Sequence, residues 1–101
     1  MIAVPAHTIR QAEEGIAKVI PLLRDRFNAA RIGRVRDELR AIRGEADNGT
    51  RVPVDQAHLE EMQHIVGSVC LNGIDVEHHL IASDLCTAMR EIGLQVEGRI
   101  V

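Results

Sequence analysis

Glu61 and His64, in the run Glu61-Met62-Gln63-His64, are the pairing whose types and spacing best suit a metal ion. Three residues apart on a helix, a carboxylate and an imidazole share one face and can offer two ligands. The chemistry also needs carboxylates from facing helices. Glu13, Glu14, Asp37 and Glu38 are available upstream, but the stretch Arg24 to Arg43 is crowded with arginine. A second motif is missing, because Asp75-Val76-Glu77-His78 is only an imperfect echo. The bland reading, two solvated helix neighbours, is preferred, and no metal or other cofactor is expected.

Other reactive side chains give less. His58, His64, His78 and His79 all lie in the second half, yet His64 and Cys70 are six residues apart, off by more than half a helical turn. Cys70 and Cys86 sit at or beside apolar positions and read as core. With a turn at Asn72-Gly73, Cys86 lies about 16 Å along its helix from the turn beside Cys70, too far for a disulfide. Glu13-Glu14 and Glu60-Glu61 are consecutive, so they splay on a helix instead of converging. Ser68 and Ser83 are lone helix serines, and no glycine-rich phosphate loop or nucleophile elbow is visible. An enzyme is not expected.

Arginine carries the strongest signal. Arg24, Arg26, Arg31, Arg34, Arg36, Arg40 and Arg43 place seven cations in twenty residues, and Arg36, Arg40 and Arg43 share a face by the three-four rule. Arginine is favoured in protein interfaces, so Arg31, Arg34, Arg36, Arg40 and Arg43 are the expected partner-binding residues. The same face could meet phosphates, and a nucleic-acid-binding protein is the alternative. A net charge of −3 and a single aromatic residue, Phe27, weigh against it. A metal-binding, ferritin-like bundle at Glu61 and His64 is the second alternative.

These side chains must be positioned by helices. Leu59, Met62, Val66, Val69, Gly73, Val76 and Leu80 step by three and four, and Leu85, Met89 and Ile92 continue the stripe after a drift. Asp55 is the N-cap candidate behind Pro53, and Gly93 the closing residue. Upstream, Thr8 with Gln11 fits a capping box, and Ile9, Ala12, Ile16, Val19, Leu23 and Phe27 keep helical rhythm. Pro21 either kinks this helix or opens a second one. After a phase change around Asn28, Ile32, Val35, Leu39 and Ile42 form a fresh stripe. The turn-rich run from Gly44 to Val54 reads as a loop.

The resulting expectation is one all-α domain, 1–101: a long antiparallel helical hairpin that dimerises into a helical bundle. Its first arm covers 8–45, the loop 46–54, the second arm 55–92 and the tail 94–101. The first arm breaks near Pro21/Asn28, while 55–92 reads either as one helix, since its stripe keeps phase across Gly73, or as two divided at Asn72-Gly73. Leu59, Met62, Val66, Val69, Val76, Leu80, Leu85, Met89 and Ile92 are the expected core and dimer positions. At 101 residues with one aromatic, the core is small, which favours completion by a second copy. Residues 1–43 hold nine Arg or Lys against five acids, and 44–101 three against ten, which suits arms that face each other. No apolar run reaches membrane-spanning length and no signal peptide is visible, so a cytoplasmic location is expected.

The segment His78 to Gly93, through His79, Ser83, Leu85, Thr87 and Gly93, resembles the closing helix of TraM-type quorum-sensing antiactivators. It covers about one-sixth of the chain. That resemblance implies two long antiparallel helices that dimerise, and a protein that binds and blocks a LuxR-type transcription factor. Together these readings lead to a small, non-enzymatic regulatory protein that binds itself and a protein partner.

Overall fold

The computed structural model describes residues 2–96. Strand β1 (Ile2–Pro5) leads directly into α1 (Ala6–Val19). A 3-10 turn (Ile20–Leu22) separates α1 from α2 (Arg26–Arg43). Strand β2 (Arg51–Val54) then precedes α3 (Gln56–Gly73). A second 3-10 turn (Val76–His78) introduces α4 (His79–Val96). Helix α1 packs between α2 and α4, and α3 packs against the same two from the far side. The four helices of this bundle come from one chain. Their buried stripes meet in one core that includes Ile9, Ile16, Ile32, Leu39, Leu59, Met62, Leu85 and Ile92.

Both arms are broken, the second dividing into two helices, and the breaks lie against each other. Pro21 sits in the first turn of the 3-10 segment, where its missing N–H costs nothing, and Leu23 is extended. In the second arm Ile74 is extended after Gly73. The Arg24 N–H donates to the Gly73 carbonyl at 3.1 Å, and its guanidinium donates to the Asn72 carbonyl at 2.7 Å. Arg24 also stands 3.5 Å from Asp75. A Cβ on Gly73 would lie 3.1 Å from Leu23 Cδ2 and from Asn28 Nδ2, so a glycine permits this close approach.

Several expectations are corrected by this break. The apolar stripe keeps its spacing across Gly73, but the backbone does not stay helical, so the register resets. Val76 and Leu80, expected as core and dimer positions, are 91% and 77% exposed and so stand outside the core of the chain. Ala82, Leu85, Met89 and Ile92 form the buried face of α4 instead. Phe27 is 70% exposed, because α2 begins afresh at Arg26 and turns Asn28, Ile32, Val35 and Leu39 inward. Gly93 does not end α4, which runs on to Val96; its missing side chain leaves room for Gln63, whose Nε2 would be 2.8 Å from a Cβ there. Leu94 to Val96 of the expected tail are therefore helical, and 97–101 lie outside the described residues.

The expected loop 46–54 ends in strand, since β2 pairs antiparallel with β1 in the register Ile2↔Val54, Val4↔Val52. Pro5 and Pro53 fit because each strand of a two-stranded ribbon has a free edge. Val4, Val52 and Val54 are buried. Thr8 is not a cap: α1 starts at Ala6, and the Ala6 and His7 N–H groups donate to the Thr50 and Asn48 carbonyls at 2.8 and 3.1 Å. Helices α2 and α3 carry their own caps. Asp25 accepts from the Asn28 N–H and Asp55 from the His58 N–H. No helix among the described residues is long and apolar enough to cross a membrane.

Candidate functional site

Antiparallel packing of α1 on α2 sets Arg10, Glu13 and Glu14 opposite Arg36, Arg40 and Arg43, and these six side chains line a cleft of about 240 Å³. Arg36, Arg40 and Arg43 differ by three, four or seven and share one face of α2, while Arg10 stands three and four residues before the consecutive Glu13 and Glu14. Glu13 is the anchor. Only 7% exposed, it accepts Arg43 Nε at 2.6 Å on one oxygen and Arg43 Nη2 at 3.0 Å on the other. This fork-to-fork pairing is the geometry that guanidinium and carboxylate groups favour. Arg40 adds its Nε at 3.6 Å, and the spare Nη1 of Arg43 donates to the Gly44 carbonyl at 2.9 Å. Donating to the Glu13 carboxylate raises the Arg43 pKa above its ordinary value, so Arg43 stays charged at any pH the fold survives.

The other guanidiniums are incompletely paired. Arg10 donates Nη2 to the Ala46 carbonyl at 2.8 Å, but its buried Nε makes no hydrogen bond within the chain. The buried Nε of Arg36 makes none either, and stands 3.9 Å from Asp37. Four cations therefore surround two carboxylates, one of them already engaged twice. The cleft is electropositive and has donors to spare.

Of the five expected partner-binding arginines, Arg36, Arg40 and Arg43 meet here. Arg34 is exposed outside the cleft. Arg31 lies elsewhere on α2, with its guanidinium 5.5 Å from the Phe27 ring centroid and Nη1 donating to Asn28 at 3.3 Å. Arg10 was not expected, because only the chain reversal between α1 and α2 brings it beside residues about thirty positions later. Its signal was local: Arg10, Glu13 and Glu14 at helical spacing. The expected opposition of a basic and an acidic arm is mostly unused. The Glu13 pairs are internal to the first arm, whereas Arg24 with Asp75 and His58 with Glu38 (3.2 Å) cross between arms.

Glu61 and His64 are both exposed on α3, and no group of three or more metal-ligating side chains occurs among the described residues. The cysteines do meet. Burial, the charge of Cys86 and a hydrogen bond to it push the Cys70 thiol up to about 12. The expected separation assumed that α4 follows Gly73 at once; it starts at His79, which places Cys86 only about 10 Å into the helix. Ser68 and Ser83 are engaged through their carbonyls, with Asn72 and Thr87 respectively. The arginine-lined cleft is the built feature of the described surface, and no protein-family model, curated protein or solved structure matches this chain.

Proposed function

We propose that this chain is a small, non-enzymatic regulatory protein that works by binding another protein through the arginine surface of α2 and its cleft with α1. The carrying observation is the convergence of Arg10, Arg36, Arg40 and Arg43 around one buried carboxylate, which leaves guanidinium donors for an acidic partner. In this reading the protein inhibits its partner, as the TraM resemblance implies for a LuxR-type regulator, and resides in the cytoplasm. It is also a homodimer. Leu71, Val76 and Leu80, 82%, 91% and 77% exposed around the α3–α4 turn, supply an apolar surface suited to a second copy. Tagged protein is used to capture partners from extract of the source cells, with and without nuclease, and compared with an Arg36→Glu/Arg40→Glu variant. One stoichiometric protein that survives nuclease and is lost with the variant supports the proposal. Full capture by the variant moves the contact elsewhere.

A second reading, nucleic-acid binding, is favoured by one observation. The lone aromatic, Phe27, is exposed beside Arg31, a pairing on which a base can stack. Loss of all captured material on nuclease treatment, with steep salt dependence, selects that reading.

A further inference from the structure

The α1–α2 cleft has more positive charge than its own carboxylates balance, and the surplus is specific in its placement. Glu13 already takes the fork of Arg43 and the approach of Arg40. Arg36 and Arg40 line the cleft with side chains 33% and 59% exposed, and Arg10 stands beside them. From the size of the cleft, the geometry of its donors and its charge, we infer that it is a binding site for a phosphoryl dianion, held by Arg10, Arg36 and Arg40, with Arg43 fixed by Glu13 as the rigid wall.

Guanidinium groups bind phosphate oxygens edge-on through paired N–H groups, and several can share one tetrahedral dianion. A phosphate or the head of a phosphomonoester fits within the cleft's volume of about 240 Å³. Glu13 also has a role in selectivity. Its carboxylate, buried against Arg43, repels an anion that cannot engage the arginines on the opposite side.

This goes beyond the partner-protein proposal, and the two fail separately. A cleft indifferent to phosphate could still capture a protein, and a failed capture leaves a phosphate titration intact. Purified protein is titrated with inorganic phosphate, and separately with glycerol phosphate, in a low-salt, phosphate-free buffer by calorimetry. Arg10→Gln, Arg36→Gln and the outside control Arg34→Gln are run alongside, with helical content checked by circular dichroism. The expected result is saturable one-to-one binding, weakened about tenfold or more by Arg10→Gln or Arg36→Gln and unchanged by Arg34→Gln. Binding of both probes identifies a phosphomonoester head as sufficient; binding of inorganic phosphate alone identifies the free ion. Either supports the site. No saturable binding by either probe, or equal weakening by Arg34→Gln in folded protein, overturns it.

Discussion

Substituting alanine at five glycines tests the bundle geometry position by position. Gly33 lies within α2 and Gly67 within α3, and a Cβ at either meets nothing within 4 Å. Alanine there removes backbone freedom from the unfolded chain and adds helix propensity, worth roughly 0.5–1 kcal/mol each. For a domain of this length, about 1 kcal/mol moves Tm by roughly 4–8 °C, so the double variant should melt roughly 4–16 °C higher. Gly15 and Gly93 should behave differently. A Cβ on Gly15 would stand 3.0 Å from Leu85 Cδ1 and 3.5 Å from Leu85 Cα, where α1 crosses α4. Leu85 is buried, so making it yield costs about 1–3 kcal/mol of overpacking, which outweighs the propensity gain. On Gly93 the added Cβ displaces Gln63 Nε2 and its 3.1 Å bond to the Met89 carbonyl; losing about 1 kcal/mol there cancels the gain. Gly44, at φ 57°, should lose about 1–2 kcal/mol on becoming alanine. Thermal melts followed at 222 nm, with urea titrations, give the order. If Gly15→Ala stabilises as much as Gly33→Ala, then α1 and α4 do not cross there and the packing described above is wrong.

Three further outcomes follow from the same geometry. Glu13→Gln should lower the urea midpoint, and adding Arg43→Gln should cost less than the two single effects combined, since the pair acts as a unit; strict additivity in the double-mutant cycle would refute the fork. Val76→Glu with Leu80→Glu should leave the melting midpoint nearly unchanged, because both side chains are exposed, while converting the proposed dimer to monomer by light scattering; a large loss of stability in the monomeric state would place them in a core after all. Because the Cys70 thiol is pushed up to about 12, its folded state keeps a proton that the unfolded state has lost above about pH 9. That contribution to stability is whole below pH 9 and disappears as pH rises toward 12. At pH 8.5 the folded Cys70 should alkylate far more slowly than an ordinary thiol, as read on the Cys70 peptide by mass spectrometry, where a rate close to that of the free amino acid would contradict its burial.

Helical class, the break at Pro21 and the Asp55 cap were legible because each depends on neighbours a few residues away: Pro21 removes an N–H, Asp55 reaches His58, and Leu59, Met62, Val66 and Val69 share a face. What was not legible depends on distant partners. Residues 2–5 are too short for periodicity, and their strand exists only because Arg51–Val54 completes it. Val76 and Leu80 keep helical spacing, and only the backbone at Ile74 and Asp75 shows that the face has turned outward. Within the cleft, Arg36, Arg40 and Arg43 were visible as one face. Glu13 and Arg10 became part of it only through the reversal between α1 and α2, since consecutive Glu13 and Glu14 give no hint of which one is buried.

The two-stranded ribbon has a consequence for the order of folding. Helices α2 and α3 bring their own caps in Asp25 and Asp55, so their first turns can form from local chain alone. Helix α1 borrows its first acceptors from Thr50 and Asn48, and these arrive only once the chain has closed from Ile2 to Val54. That closure surrounds two whole helices and is costly in entropy before any contact rewards it. The start of α1 is thus a late event, waiting on a ribbon that cannot form early. Trimming Val4 or Val52 to alanine should accelerate unfolding and leave the refolding rate almost untouched. In the mature bundle the same ribbon acts as the latch that goes on last and, on the way out, comes off first.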